Sequence, residues 1–184
     1  TGTASVLFFV HPVNDAPVLD IVSDQSSDED NEFSYTLSGS DIDSEQLYFS
    51  ASIDGDGSIQ LDGADITITP DTNYNGLIEV SYGVSDGEFT ESDSFTLTVN
   101  PVNDAPVIAS IDNQVIDEDG SLALTLSASD IDGDNLTFDA SVDGNASVSV
   151  DGTSLTARHY DRQEIDIYHR RCGRNGSGNR QILF

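Results

Sequence analysis

The hexapeptide Val-Asn-Asp-Ala-Pro-Val stands at residues 13–18 and returns unchanged at residues 102–107, an offset of 89 residues. The same offset, without a gap, carries further matches as far as Ala157. These are Asp-Glu-Asp at 28–30 and 117–119, Asp-Ile-Asp at 41–43 and 130–132, and Asp-Gly at 62–63 and 151–152. Self-similarity at a fixed period is typical of repeat proteins, so the sequence predicts a tandem array.

The charge of the chain is unusually one-sided. It has 34 Asp and Glu residues against six basic residues, all of them arginine, and the first is Arg158. No salt bridge to Lys or Arg can therefore form within residues 1–157, so the fold must place its charge in solvent or bind cations. This sign excludes nucleic acid and anionic lipid as partners. Adaptation to salty surroundings is an alternative reason for the acidity.

Acidic chains are often disordered, but this one has the composition of a folded protein. Hydrophobic residues make up 36% of it and alternate with polar residues, which disordered chains do not show. The single cysteine, Cys172, excludes a disulfide framework. No apolar run approaches the roughly 20 residues that a membrane-spanning helix needs.

Between residues 13 and 99 we expect seven strands and no helix. Apolar and polar residues alternate with period two along 33–37, 66–68 and 95–99. The expected strands are Val18–Val22, Glu32–Ser38, Leu47–Ser52, Ser58–Leu61, Asp65–Thr69, Leu77–Val84 and Ser92–Val99. Seven short strands separated by Asp-Gly turns predict an all-β fold, an immunoglobulin-like β-sandwich with Greek-key connections.

The repeats predict four segments. Residues 1–12 match the end of the following repeat and predict the last strand of an upstream one; residues 13–100 form a complete sandwich and 101–157 a partial second one. Residues 158–184 leave the pattern abruptly and bring every arginine and the cysteine. An out-of-frame or artificial end is our preferred interpretation, and a genuine variant terminal repeat is the alternative.

Acidic groups recur at three points in each repeat: Asn-Asp in the linker, Asp-Glu-Asp about 13 residues later, and Asp-Ile-Asp a further 13 on. Calcium binds six to eight oxygens from carboxylates, amide side chains and carbonyls. Both carboxylates of an extended Asp-x-Asp point to one face. The alternative is that Asp and Asn merely occupy turns. The recurrence of the whole set favours a calcium site.

The linker and the downstream Asp-x-Asp together resemble the cadherin-like tandem repeats of large bacterial surface and secreted proteins. Glu29 and Glu118 are similar to the early glutamate of that family, and Asp86 is similar to its late aspartate. The resemblance implies calcium near residues 103–106, held by Glu29, the linker and the second Asp-x-Asp. The full implied ligand set is Asn14, Asp15, Glu29, Asp41, Asp43, Asp86, Asn103, Asp104, Glu118, Asp130 and Asp132.

Two departures from the family pattern imply fewer or weaker ions. Pro101 stands where cadherin linkers carry an aspartate three residues before the linker aspartate, with Asn100 one residue earlier. No Asp-Arg-Glu motif is present. An EF-hand at residues 130–135 is rejected, because Ser141 stands where that loop requires its bidentate glutamate.

Catalysis is not expected. His11 has no plausible nucleophile beside it, and the carboxylates recur in each repeat rather than lining one cleft. The chain has no tryptophan, and four of its six tyrosines, Tyr35, Tyr48, Tyr74 and Tyr82, are expected in the core or on sheet faces rather than as a sugar-binding platform.

The expected function is a calcium-rigidified adhesion or spacer module of a large extracellular bacterial protein. Calcium is the expected ligand. Further partners would be a second copy (homophilic adhesion) or a surface polysaccharide, with no nucleic acid and no membrane insertion. The alternatives are a carbohydrate- or ligand-binding sandwich and a passive spacer attached to a secreted enzyme.

Overall fold

A computed structural model describes residues 3–117, 119–142, 146–160, 170–171 and 180–183. The chain divides into two compact units, Thr1–Val102 and Asn103–Phe184, here called unit 1 and unit 2. Every described element is a β-strand, as the sequence predicted.

Unit 1 is built from nine strands in three sheets. The strands are β1 (Val18–Leu19), β2 (Gln25–Asp28), β3 (Phe33–Thr36), β4 (Gly39–Ser40), β5 (Tyr48–Asp54), β6 (Gly57–Asp62), β7 (Asp65–Pro70), β8 (Gly76–Ser85) and β9 (Thr90–Asn100). One sheet has the order β2-β9-β8-β5, a second has the order β3-β7-β6, and β1 pairs with β4. The two larger sheets form the layers of the sandwich.

The core of unit 1 lies between these layers and follows the two-residue period of the strands. Ten buried residues form one cluster: Val22, Leu37, Ile66, Ile68, Ile78, Val80, Tyr82, Phe95, Leu97 and Val99. Tyr82 lies edge-on to Phe95, with ring centroids 5.8 Å apart. Its hydroxyl accepts a hydrogen bond from the backbone N–H of Val22 (2.8 Å), which anchors the segment after β1 to β8. Buried aromatic rings add large apolar area.

Each of the seven expected strands of unit 1 has an observed counterpart, and two further strands were not expected. β2 pairs in parallel with β9, with Gln25 opposite Leu97. β4 pairs with β1, with Ser40 opposite Val18. Both extra strands are short and lack the apolar alternation by which the others were found.

Six strands of unit 2 repeat strands of unit 1 at the same 89-residue offset, whereas residues 114–117, at the positions of β2, form no strand. The strands of unit 2 are β10 (Val107–Ile108), β11 (Ser121–Thr125), β12 (Ala128–Ser129), β13 (Leu136–Asp139), β14 (Ala146–Asp151), β15 (Ser154–His159), β16 (Arg170–Arg171) and β17 (Arg180–Leu183). The pairing repeats as well, since Val107 lies opposite Ser129 as Val18 lies opposite Ser40. The sequence repeat is therefore also a structural repeat.

The turn between β6 and β7 recurs between β14 and β15. Gly63 has φ +65° and Gly152 has φ +59°. A two-residue hairpin requires this left-handed backbone, which glycine adopts at the lowest cost. The Asp-Gly pairs at 62–63 and 151–152 thus set both hairpins.

The two units differ beyond residue 157. β15 continues to His159, which is buried, so the strand extends two residues into the segment predicted to be aberrant. β13 pairs in parallel with β17, whereas its counterpart β5 pairs antiparallel with β8. Most residues at the positions of β8 and β9, and Cys172 with them, lie outside the described residues.

Residues 3–10, predicted to be the last strand of an upstream repeat, belong to no strand in the described part of the chain. Their large apolar side chains are exposed, among them Phe8 at 84% and Val10 at 90%.

Candidate metal centre

Three segments of unit 1 meet at the end of the sandwich where β8 ends, here called the linker end. They are the linker before β1, the turn between β4 and β5, and the turn between β8 and β9. The side-chain amide of Asn14 donates a hydrogen bond to Asp86 Oδ2 (2.7 Å). The backbone N–H of Asp15 donates to Asp43 Oδ2 (2.9 Å). Four of the predicted ligands are thus brought together although up to 72 residues separate them in sequence.

Asp41 organises the turn that carries Asp43. Its Oδ1 accepts hydrogen bonds from the backbone N–H groups of Asp43 (2.7 Å) and Ser44 (2.6 Å). Its Oδ2 is buried and accepts none. A buried carboxylate oxygen without a partner costs free energy, which a bound cation would offset.

Unit 2 reproduces this arrangement at its own linker. The backbone N–H of Asp104 donates to Asp132 Oδ2 (2.6 Å), as that of Asp15 donates to Asp43. Asp130 Oδ1 accepts a hydrogen bond from the backbone N–H of Asp132 (3.1 Å). The side-chain amide of Asn103 donates instead to the carbonyl oxygen of Asp104 (2.9 Å). The linker and the Asp-x-Asp therefore form one local structure in both repeats.

Asp86 is held in its charged form. The backbone N–H of Phe89 and then that of Glu88 lower the pKa of the Asp86 carboxyl; burial opposes the shift, and the Asn14 amide adds to it. Hydrogen bonds to a carboxylate favour its ionised state. Asp86 therefore presents a negative charge at the linker end at neutral pH.

Glu29 lies at the opposite end of unit 1. It follows β2, and its side chain is buried, with only 2% exposed. Its Oε1 accepts a hydrogen bond from the backbone N–H of Val102, and its Oε2 accepts one from the Asn75 amide (3.3 Å). Its own N–H donates to the carbonyl of Asn100 (2.9 Å). Glu29 thus ties the residues after β9 to the start of β8.

The predicted ligands of unit 1 consequently fall into two groups. β8 has ten residues, so the linker end and Glu29 are separated by about 33 Å at the usual rise of a strand. Asn14, Asp15, Asp41, Asp43 and Asp86 share the first end; Glu29 stands at the second. Glu118, its counterpart in the second repeat, lies outside the described residues. A calcium-ligating role for each of these residues stays a prediction.

The residues of the linker end suit calcium by type. Carboxylate oxygens, an amide side chain and backbone carbonyls are the ligands that calcium takes, and unit 1 has 20 acids and no Lys or Arg. Among the described residues, however, no group of three or more His, Cys, Asp or Glu side chains is arranged to hold a metal ion.

Two residues that contribute hydrogen bonds at these ends, Ser44 and Asn75, were not predicted from the sequence. Ser44 donates its backbone N–H to Asp41, and Asn75 donates its amide to Glu29. Asn75 and Gly76 form an Asn-Gly dipeptide at the start of β8, and this dipeptide is a turn signal. Nothing in the local sequence, however, places that turn against Glu29, 46 residues away.

Three of the four tyrosines considered in the sequence lie in or against the core of unit 1. Tyr82 is buried, and Tyr35 and Tyr74 pack against the core cluster, in line with the sequence prediction. Tyr48 is 60% exposed on β5, where it borders a shallow depression with Phe49 and Leu61.

The fold and these two ends define a class of protein: tandem β-sandwich repeats of the adhesion or spacer type, with acidic groups at the linkers. Residues 13–100 match the family model of a cadherin-like domain, and residues 103–164 match that of a bacterial Ig domain. Together these two matches support bacterial cadherin-like and Ig-like repeats. The predicted family and the predicted all-β sandwich are both confirmed.

Solved structures show a more distant similarity. Human protocadherin-24 EC1-2 is 14% identical, with 80% of this chain and 81% of that chain covered and a TM-score of 0.42. Titin domains Z1Z2 in complex with telethonin are 12% identical, with 94% and 97% covered and a TM-score of 0.38. A family 107 endo-fucoidan hydrolase is 15% identical at a TM-score of 0.41; the chain is 95% covered and spans 29% of the hydrolase.

A comparison with curated proteins found no match. In the part of the chain that the structure describes, no helix is long and apolar enough to cross a membrane.

Proposed function

We propose that this chain is a calcium-binding adhesion or spacer segment of an extracellular bacterial protein, and that calcium binds at the linker end of each repeat. The observation that carries the proposal is the recurrence of one structure. The linker aspartate is hydrogen-bonded to the second carboxylate of Asp-x-Asp in both units, through Asp15 and Asp43 and through Asp104 and Asp132.

Electrostatics supports the same proposal. Carboxylates and an amide oxygen gather at the linker end of unit 1, and the unit has no Lys or Arg to balance them. Asp86 is kept ionised by backbone N–H groups, and one oxygen of Asp41 is buried without a hydrogen bond. Bound calcium would neutralise this charge. Asn14, Asp15, Asp41, Asp43 and Asp86 would hold it in unit 1, and Asn103, Asp104, Asp130 and Asp132 in unit 2.

The mechanical consequence concerns the linker. Without metal, the linker is held to the Asp-x-Asp turn by a hydrogen bond near solvent, and like charges oppose that contact. With calcium, linker and turn would share an ion, and the linker would be stiffened against the sandwich that follows it. Extracellular calcium modules commonly bind at about 10⁻⁴–10⁻³ M, a range in which external calcium would saturate the sites.

The chain is proposed to act without catalysis. The same residue types form the same linker contact in both repeats, and such repetition is typical of a structural role. Adhesion to a second copy is the proposed partner interaction, and a surface polysaccharide is the alternative.

Calcium titration by calorimetry on the full chain tests the proposal. The Asp41→Asn, Asp43→Asn double variant should lose the binding that belongs to unit 1, because calcium ligands lose their charge there. Asp54→Asn, Asp56→Asn is the matched control: it also alters an Asp-x-Asp, but one in the turn between β5 and β6, away from the linker.

The result expected is heat from calcium binding that falls by about half in the first variant and stays unchanged in the control. Equal heats in all three proteins would refute calcium at the linker end. Loss of binding heat in both variants would mean that calcium binding depends only on the overall negative charge of the chain.

A further inference from the structure

The dipeptide Asn75-Gly76 spans the start of β8 and lies against the carboxylate of Glu29. The side-chain amide of Asn75 donates a hydrogen bond to Glu29 Oε2 (3.3 Å), and Asn75 itself is exposed to solvent. Asparagine is a thermolabile residue. It reacts fastest when glycine follows, because glycine has no side chain to shield its backbone nitrogen. The dipeptide therefore combines chemical reactivity with access to water.

The fold requires the glycine of this dipeptide. A Cβ atom at Gly76 would lie 2.7 Å from the hydroxyl oxygen of Tyr74, closer than real Cβ atoms approach a neighbour. That hydroxyl donates a hydrogen bond to the carbonyl of Leu77 (2.9 Å), so moving it aside would cost this bond. The turn before β8 thus keeps a glycine directly after Asn75.

The second repeat does not have this dipeptide. The 89-residue offset places Glu164-Ile165 at its position. Another Asn-Gly stands at residues 175–176, outside the part of the chain that the structure describes. Among the described residues, Asn75 is the only asparagine that precedes a glycine.

We propose that Asn75 is a site of spontaneous deamidation, and that the reaction loosens the contact between Glu29 and the residues after β9. The backbone nitrogen of Gly76 attacks the side-chain carbonyl carbon of Asn75, a cyclic imide forms, and ammonia leaves with the proton of the Gly76 N–H. Water then opens the imide at either of its two carbonyls and gives aspartate or isoaspartate. Water is the only co-reactant, so the step needs no oxidant, reductant or enzyme.

The product changes the surroundings of Glu29. The amide that donates to Glu29 Oε2 is replaced by a carboxylate, which has no proton to donate at neutral pH, and two neighbouring carboxylates repel each other. Glu29 is only 2% exposed, so water replaces the lost donor poorly. Glu29 Oε1 accepts the backbone N–H of Val102. A displaced Glu29 would therefore release Val102.

Ageing of the full chain tests the reaction. The folded protein is incubated at mildly alkaline pH with a chelator, and peptide mapping by mass spectrometry follows the change from amide to acid at each asparagine. Asn75 should convert faster than Asn73, which lies in the same turn but precedes Tyr74. No conversion of Asn75 in the folded protein, or equal rates at the two asparagines, would overturn the proposal.

Two variants test the consequence for Glu29. Asn75→Asp imitates one product, and the amide of Val102 should exchange at least about fivefold faster, because a buried acceptor has lost its donor. Asn75→Gln is the matched control: it keeps an amide, but its longer side chain closes the imide ring slowly. Exchange at Val102 should rise with ageing in the original chain and stay constant in this control.

Unchanged exchange at Val102 in Asn75→Asp, or an equal rise with ageing in the original chain and in Asn75→Gln, would contradict the proposed link to Glu29. All these measurements are made without calcium. Failure of this proposal is therefore distinguishable from failure of the proposed function.

Discussion

Unit 1 and unit 2 begin with related sequences, and among the described residues they differ in how deeply equivalent positions are buried. Ten buried residues form the core cluster of unit 1, whereas three form that of unit 2, in the part that the structure describes. Leu37 and Leu126 occupy equivalent positions, and both are 2% exposed. Val22 is 5% exposed, but its counterpart Ile111 is 37% exposed.

The two repeats differ strongly in sequence at the positions of β8. Ile78, Val80, Tyr82 and Val84 are all buried in unit 1. At the 89-residue offset the chain has Ile167, His169, Arg171 and Gly173. Tyr82 anchors Val22 through its hydroxyl, and arginine at the equivalent position cannot accept that hydrogen bond. In unit 1 the second half of the repeat provides most of the core, while the turns of the first half recur in both units.

The largest expected effect comes from truncating the equivalent leucines. Leu37→Ala should lower the free energy of unfolding of unit 1 by about 2–5 kcal/mol, because it leaves a cavity in a closed core. Leu126→Ala should cost unit 2 less, since its partly buried neighbours have room to move into the space. Urea unfolding followed by backbone amide NMR reports each unit separately. Equal losses of unfolding free energy would show that Leu37 and Leu126 stabilise their units equally, against this prediction.

The next effect concerns Glu29. Glu29→Ala should cost about 1–3 kcal/mol, because it leaves the N–H of Val102 and the amide of Asn75 without their acceptor. Hydrogen exchange at Val102 should accelerate in parallel with the loss of stability. Glu32→Ala, at an exposed neighbouring position, is the control and should leave exchange at Val102 unchanged.

A smaller effect is expected at the two linkers. Removing the acceptor by Asp43→Ala or Asp132→Ala should free the amide of Asp15 or Asp104. One such hydrogen bond contributes about 0.5–1.5 kcal/mol, so its loss should speed exchange by about twofold to thirteenfold. The two variants should act alike, each on its own linker. An effect in only one of them would show that the repeated geometry is not energetically equivalent.

The smallest effect is a pH dependence that belongs to unit 1. The pKa of Asp86 is lowered in the folded state, so its contribution to stability is present above the unfolded pKa and is lost as the pH falls through the folded one. Unit 1 should therefore lose stability below a pH of about 4, and Asp86→Asn should remove this part of the dependence. An NMR titration of the carboxyl carbon in which Asp86 shows an ordinary or raised pKa would contradict this.

Much of the fold was readable from the sequence because the decisive signals are local. Alternation along β3, β7 and β9 and the Asp-Gly turns predicted strands that the structure confirms. β2 was missed because its inward residues, Gln25 and Ser27, are polar, and its pairing depends on β9, 72 residues away. A strand that is specified by its partner has no periodicity of its own to detect.

The candidate site shows the same division. The repeated acids predicted which residues matter, and the structure brings Asp15 to Asp43 and Asn14 to Asp86. Proximity across β-sandwich turns is a property of the topology and not of the local sequence. The family resemblance implied that Glu29 lies near residues 103–106, but its burial and its contact with Asn75 could not be predicted from the local sequence.

The central claim is that calcium joins the linker to the Asp-x-Asp turn in both repeats. Hydrogen exchange of the full chain with and without calcium at about 1 mM, near the weak end of extracellular sites, measures this most directly. Calcium should slow exchange at the amides of Asp15 and Asp104 and leave those of β7 unchanged. Unchanged exchange at both linkers would contradict the account and leave the acids as solvated turn residues.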